Sequence, residues 1–177
     1  MVPDPEKTET IHETRVFRLC RETVILPNGV LATLDIIHHP GSSAIVPLLP
    51  DNRVVMTRQY RQSLRDSLWE IPAGTLNPGE DPLECAKREL VEEVGYEASQ
   101  LTKLLEIITA PGYCDERVHI YLATGLEPAA QNLDQDEVLE VTLLSLDETL
   151  LMIRDGRIQD AMTIVALLLV SNGRMHA

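Results

Sequence analysis

The chain has 177 residues, 44% of them hydrophobic, which is close to the usual size of one domain with a single hydrophobic core. Its formal net charge of −13 argues against non-specific binding to nucleic acid or to membrane surfaces. An anionic substrate would therefore need metal ions and local arginines in order to approach.

The N-terminal residues, the apolar run near the C-terminus and the cysteine spacing together favour a reduced cytoplasmic protein. The start, Met1-Val2-Pro3-Asp4-Pro5-Glu6, is acidic and interrupted by proline, unlike a secretory signal. The apolar run at residues 161–170 is too short for a transmembrane helix and suits a buried one. Cys20, Cys85 and Cys114 follow no metal-binding or redox spacing.

Strand-like runs dominate the N-terminal part. We expect the polar first ten residues to be mobile. Residues 15–26 and 30–38 then read as strands, and Pro27-Asn28-Gly29 between them is a strong hairpin signal. Because an isolated two-stranded hairpin is marginally stable in water, this one must pack on something. We therefore assign residues 1–41 to an N-terminal hairpin and residues 42–177 to the main domain.

The main domain alternates strands with one central helix and ends in helices. Residues 44–49 and 54–60 flank Pro50-Asp51-Asn52, which predicts a second hairpin. The later predicted elements are a short strand at 68–71, a helix from about residue 82 to 94, strands at 101–109, 118–123 and 138–144, and helices at 146–155 and 158–170. This order predicts an α+β or α/β sandwich.

Sequence signals at both ends define the central helix. Asp81 suits the N-cap, Pro82 the first helical position, Glu84 the capping-box position and Gly95 the C-terminal stop. The apolar residues at helical spacing, which should face a core, are Leu83, Ala86, Leu90 and Val94.

A second face of this helix carries three acids. Glu89, Glu92 and Glu93 lie three and four residues apart, and each pair of like charges at this spacing costs roughly 0.2–0.5 kcal/mol. A divalent cation would reverse the sign of that penalty. Arg88, one turn before Glu92, can brace the acids, as can Glu80 from the preceding loop. The alternative is an ordinary solvated acidic face.

The stretch from Gly74 resembles the Nudix box, the signature of hydrolases that cleave nucleoside diphosphates linked to another group. Gly74 is followed after five residues by Glu80, and after seven more by Arg88-Glu89-Leu90-Val91-Glu92-Glu93-Val94-Gly95. Every fixed position is present, and only Tyr96 departs from the family's aliphatic preference. The resemblance implies a Nudix α/β/α sandwich over roughly residues 42–172, with an added N-terminal antiparallel β-sheet.

This resemblance also implies a divalent-metal enzyme. Two or three Mg²⁺ ions, or Mn²⁺, would bind Glu89, Glu92, Glu93 and the carbonyl oxygen of Ala73. Glu93, Glu92 and Arg88 are then candidate catalytic residues. A Nudix module that binds nucleotide without catalysis is an alternative of another class, but no box carboxylate has been lost.

Two further segments are similar to those of ADP-ribose pyrophosphatases, namely Arg58-Gln59-Tyr60-Arg61 and Trp69-Glu70-Ile71-Pro72-Ala73-Gly74. In that subgroup the arginine matching Arg61 holds the substrate phosphates. Arg58 would add a second planar fork, and Glu70 is another candidate substrate contact. The alternative places both arginines on the surface, where they close a strand.

Ala110-Pro111-Gly112-Tyr113 also matches this subgroup, where Ser-Pro-Gly is usual. Pro111 marks the ADP-ribose preference, Tyr113 would line the sugar or base pocket, and Glu116 would touch substrate or metal. An ordinary Pro-Gly turn is the alternative.

An acidic loop precedes the strand at residue 138. In the family a glutamate on this loop is the catalytic base or a further metal contact. Glu137 matches it best, with Asp136 and Asp134 as alternatives in a neighbouring register. A polar loop without chemistry remains open for any one of these acids.

The expected reaction is hydrolysis of ADP-ribose to AMP and ribose 5-phosphate, with GDP-mannose or another nucleotide sugar as the alternative substrate. The resemblance further implies a homodimer with composite active sites, in which the N-terminal strands help form the partner's base pocket. Phe17 is the candidate base contact. The alternative is a monomer whose hairpin folds back on its own core.

Overall fold

A computed structural model describes residues 5–133 and 137–173, which form two compact units. The N-terminal unit contains the chain up to Gly41 together with Ile108–Arg117, a segment far away in the sequence. The main unit contains Ser42–Ile107 and the chain from Val118 onward.

The N-terminal unit is built on a three-stranded antiparallel sheet in the order β1-β2-β3. Its strands are β1 (Lys7–Glu13), β2 (Arg18–Ile25) and β3 (Leu31–His38). The predicted hairpin between β2 and β3 is confirmed, with Gly29 in the left-handed region at φ 81°.

The expectation that the first ten residues are mobile is wrong from Lys7 onward. All seven side chains of β1 are exposed, so the sequence carries no apolar alternation to mark a strand. Backbone pairing with β2, from Lys7 opposite Thr23 to Glu13 opposite Arg18, is what forms it.

Ile108–Arg117 is attached to the edge of β3. The N–H of Ile37 donates to the carbonyl of Tyr113 at 2.8 Å, and the N–H of Asp115 donates to the carbonyl of Ile37 at 3.1 Å. The ring nitrogens of His38 lie 2.6 Å from Asp115 Oδ2 and 2.9 Å from Glu22 Oε1 on β2. His38 thus links the sheet to this segment.

The main unit contains two sheets and three helices. Its elements are β4 (Ser42–Pro47), β5 (Arg53–Arg61), β6 (Asp66–Glu70), β7 (Ala73–Thr75), α1 (Pro82–Val94), β8 (Tyr96–Ile108), β9 (Arg117–Pro128), β10 (Leu139–Ser145), α2 (Leu146–Arg154) and α3 (Ala161–Gly173). A four-stranded sheet runs β7-β4-β9-β8, with β4 and β9 parallel, and an antiparallel sheet runs β10-β5-β6. Within the described residues, no helix is both long and apolar enough to cross a membrane.

The predicted hairpin of β4 and β5 is wrong in one respect: a tight turn joins the two strands, but they do not pair along their length. The N–H of Leu49 donates to the carbonyl of Arg53 at 2.8 Å, but the strands share just one isolated bridge, Leu48 to Val54. All six residues of β4 are buried, which is typical of a central strand with neighbours on both sides. β5 enters the other sheet.

Apolar residues of the main unit form two clusters. One joins strands of both sheets to α2 and α3, through residues such as Met56, Ile120 and Leu167. The other packs the buried face of α1, including Ala86, Leu90 and Val94, against Ile45 and Tyr121. This second cluster fixes the rotation of α1, and so determines which way its acids point.

Candidate active site

Helix α1 begins and ends where the sequence predicts. Asp81 is the N-cap, and its Oδ1 accepts a hydrogen bond from the N–H of Leu83 at 2.8 Å. Gly95 ends the helix with φ 69°, and its N–H donates to the carbonyls of Leu90 and Val91. The acids of the last two turns therefore occupy fixed positions.

Two of these acids are buried. The residues Glu89 and Glu93 are 7% and 3% exposed, whereas Glu92 is half-buried. Burial raises the pKa of Glu93 to about 9 and that of Glu89 to about 7. The charge of Glu137 is one of the smaller causes of both increases in pKa.

Arg88 braces the cluster from α1. Its Nε and Nη2 donate to the two carboxylate oxygens of Glu80, each at 2.9 Å, and Nη1 donates to Glu89 Oε1 at 2.5 Å and Glu92 Oε2 at 2.9 Å. The Arg88 hydrogen bonds lower the pKa of Glu80 to about 2. The brace expected from the one-turn spacing of Arg88 and Glu92 is thus present.

Strand β7 lies directly against the acids. A Cβ atom added to Gly74 would fall 1.8 Å from Glu89 Oε1, so any larger residue would displace the Glu89 carboxylate. The N–H of the neighbouring Ala73 donates to Glu93 Oε2 at 3.1 Å. No sequence pattern predicted this strand, which is three residues long.

The predicted ligands Ala73, Glu89, Glu92 and Glu93 do not form a ready coordination shell. In the part of the chain that is described, no three His, Cys, Asp or Glu side chains converge so as to hold an ion. The oxygens of Glu89 and Glu92 turn instead to Arg88, the nearest cation, because like charges repel. The donor set, carboxylate oxygens partly shielded from water, nevertheless suits a hard divalent cation.

Arg61 and Glu70 form an ion pair at the end of β5. Arg61 Nη2 lies 2.8 Å from Glu70 Oε2, and Nε lies 3.1 Å from both carboxylate oxygens. Residue Glu70, a predicted substrate contact, is 4% exposed, and its carboxylate holds Arg61. The charge of Arg61 offsets a small part of the increase that burial causes in the pKa of Glu93.

The structure does not bring Arg58 together with Arg61. Three residues apart on β5, they project from opposite faces of the strand. Arg58 lies opposite Trp69 on β6, with Cζ 5.9 Å from the centroid of the indole ring. This geometry is a cation–π contact.

The remaining predicted substrate contacts belong to the N-terminal unit. Phe17 is half-buried in the turn before β2, and Pro111 and Tyr113 are exposed. Glu116 Oε2 accepts from Thr109 Oγ1 at 2.8 Å, which fixes the carboxylate within its own segment. Asp134 and Asp136, the alternatives to Glu137, lie outside the described residues.

Comparisons with known proteins identify the family of the chain. The model of the NUDIX domain family matches residues 38–164. The chain is 44% identical over 163 residues to a protein from Bacillus methanolicus named methanol dehydrogenase activator, covering 91% of this chain and 88% of that protein. It is 39% identical over 167 residues to an ADP-ribose pyrophosphatase of Bacillus subtilis, covering 92% and 90%.

A solved structure has the same fold. The crystal structure of an ADP compounds hydrolase superposes with a TM-score of 0.82 at 27% sequence identity, and the match covers 97% of this chain and 94% of that one. The N-terminal strands are therefore included in the similarity.

Proposed function

Because the chain belongs to the Nudix hydrolase family, we propose that it hydrolyses the pyrophosphate bond of nucleoside diphosphate sugars, with ADP-ribose preferred. The products are then AMP and ribose 5-phosphate. One observation carries the proposal: α1 buries Glu89 and Glu93, one turn apart, at a cost that a purely structural helix would avoid.

The roles divide between the acids and one arginine. Arg61, fixed by Glu70, binds the substrate phosphates, because a guanidinium fork matches phosphate oxygens. Glu137 or Glu93 orients the attacking water and accepts its proton. Arg88 holds Glu80, Glu89 and Glu92 in place and neutralises part of their charge.

Divalent metal ions complete the proposed site. Glu89, Glu92, Glu93 and the Ala73 carbonyl oxygen would hold two or three Mg²⁺ or Mn²⁺ ions, which must compete with Arg88 for the carboxylates. Bound ions supply Lewis-acid stabilisation and lower the pKa of the attacking water. EDTA should abolish activity, and added Mg²⁺ or Mn²⁺ should restore it.

We also propose a cytoplasmic homodimer whose N-terminal units complete the partner's sites. The exposed Tyr113 and the half-buried Phe17 are two of the few aromatic residues available for base stacking. Deletion of residues 1–38 should abolish dimerisation and nucleotide-sugar affinity. An active monomer at micromolar concentration in light scattering would contradict this assembly.

A substrate panel tests the activity. ADP-ribose, GDP-mannose and ATP are incubated with enzyme and Mg²⁺, and released mononucleotide is quantified to give kcat/KM. We expect the highest value for ADP-ribose, with the Glu93→Gln variant as the inactive control. A higher value for GDP-mannose would assign the alternative sugar, and one for ATP would reject the subgroup.

Activation of a dehydrogenase is a second candidate, favoured by the 44% identity to a methanol dehydrogenase activator. The test adds the protein to a purified methanol dehydrogenase and follows the rate of alcohol oxidation. Stimulation by the wild type but not by Glu93→Gln would show that activation uses the hydrolytic site. No stimulation would remove this candidate and leave the first intact.

A further inference from the structure

A two-residue linker of the main unit, residues 71–72, joins β6 to β7 and so connects two parts of the proposed site. Glu70, the last residue of β6, holds Arg61. The N–H of Ala73, the first residue of β7, donates to Glu93 Oε2 at 3.1 Å. The position of this linker therefore affects both the arginine proposed to bind phosphate and a buried acid of α1.

The peptide group between Glu70 and Ile71 is held from two sides by buried threonine side chains. Its carbonyl oxygen accepts a hydrogen bond from Thr57 Oγ1 on β5 at 3.1 Å, and its N–H donates to Thr163 Oγ1 on α3 at 3.0 Å. The two threonines are 1% and 0% exposed, so both bonds lie in the interior of the main unit, where an unmade hydrogen bond is costly.

The peptide group between Pro72 and Ala73 is also bonded on both sides. Its carbonyl oxygen accepts a hydrogen bond from the N–H of Ile45 at 2.9 Å, and its N–H is the one that donates to Glu93. The ring of Pro72 restricts rotation about its own N–Cα bond. A displacement of the first peptide group is therefore transmitted along the linker to the second.

We infer that Thr57 and Thr163 are positioning residues, because their hydroxyl groups fix the linker that connects the phosphate-binding arginine to the acids of α1. The inference rests on the proposed function, in which Arg61 binds phosphate and the Ala73 carbonyl oxygen contributes to metal binding. A displacement of about 1 Å in such a site can lower a rate about a hundredfold. Loss of either hydroxyl should therefore reduce catalysis while the fold persists.

The kinetic test removes each hydroxyl separately. Thr57→Val and Thr163→Val keep the branched shape of the side chain and delete the hydroxyl group. Thr149→Val is the matched control, because Thr149 is also fully buried and its Oγ1 donates to a backbone carbonyl, that of Leu146 in α2 at 2.7 Å. We expect kcat/KM for ADP-ribose to fall about tenfold in the first two variants and by less than about twofold in the control.

A conservative variant separates the hydroxyl group from the rest of the side chain. Thr163→Ser retains the acceptor for the Ile71 N–H and should keep kcat/KM within about threefold of wild type. All rates are measured where circular dichroism shows the variant folded, and either valine variant suffices if the other does not fold. Wild-type kcat/KM in a folded valine variant, an equal loss in Thr149→Val, or Thr163→Ser as impaired as Thr163→Val would overturn the inference.

Hydrogen–deuterium exchange gives a readout that does not need turnover. The Ile71 amide loses its own acceptor in Thr163→Val, whereas the Ala73 amide keeps its partner in both valine variants and should exchange faster only if the linker moves. Unchanged exchange at Ala73 would overturn the inference. Wild-type protein that hydrolyses no nucleoside diphosphate sugar would reject the proposed function, while exchange at Ala73 would still decide whether the two threonines hold the linker.

Discussion

Glu70→Gln is the substitution that most directly tests how the phosphate-binding arginine is held. The Glu70 carboxylate is buried and accepts three hydrogen-bond contacts from Arg61, two from Nε and one from Nη2. The amide removes the charge and turns one acceptor oxygen into a donor that faces a guanidinium, so the bidentate geometry is lost.

The free energy that Glu70→Gln should cost depends on burial, and only one partner of the Arg61–Glu70 pair, Glu70, is buried. Breaking a fully buried ion pair costs about 3–5 kcal/mol, but the Arg61 side chain is 39% exposed, so solvent screens the loss and about 1–2 kcal/mol is expected. Burial raises the pKa of Glu70 while Arg61 lowers it, so part of that cost is recovered when the charge is removed. The free energy of unfolding should therefore change less than substrate binding does.

Steady-state kinetics with ADP-ribose and urea unfolding measure the two effects. We expect kcat/KM to fall about ten- to a hundredfold, mainly through KM, because a charge-assisted contact to phosphate contributes about 1.5–3 kcal/mol. Glu140→Gln is the matched control. Glu140 on β10 pairs with Arg58, which lies on the face of β5 opposite to that of Arg61. Wild-type KM in Glu70→Gln, or an equal effect in Glu140→Gln, would refute the argument.

Three more predictions concern the acids, the glycine beside them and the N-terminal unit. Glu93→Gln should lower kcat by about a hundredfold or more without loss of thermal stability, because it replaces a buried carboxyl group by an amide of nearly the same volume. Full activity would exclude Glu93 as a central residue. Gly74→Ala should inactivate the enzyme and lower the free energy of unfolding by about 1–3 kcal/mol, since its methyl group would overlap Glu89, and a stable active variant in calorimetry and assay would contradict this. Hydrogen bonding to Asp115 raises the pKa of His38. Protonated His38 therefore stabilises the folded state fully below the unfolded-state pKa of about 6.5, and this contribution is lost as pH rises through the higher folded-state pKa. His38→Gln should therefore lower the melting temperature at pH 6 more than at pH 9, and an equal shift at both pH values would argue against protonation as the cause.

Sequence alone determined the features that are local along the chain. The N-cap, the first-turn proline and the glycine stop placed α1 within a residue of its observed bounds, since these signals act on adjacent backbone groups. The helical period likewise distinguished the apolar face of α1 from the face with the three acids, and it placed Arg88 one turn from Glu92. It did not predict that Glu89 and Glu93 are buried too. The same spacing carried the family assignment.

Tertiary structure decided which strands pair and which side chains therefore meet. β4 and β5 are joined by a short turn yet enter different sheets, because strand pairing depends on partners distant in sequence. β1 forms without an apolar pattern, since its backbone bonds to β2 carry no side-chain signature. Arg58 and Arg61 are close in the sequence and were predicted to act together, but the two-residue period of an extended strand places them on opposite faces.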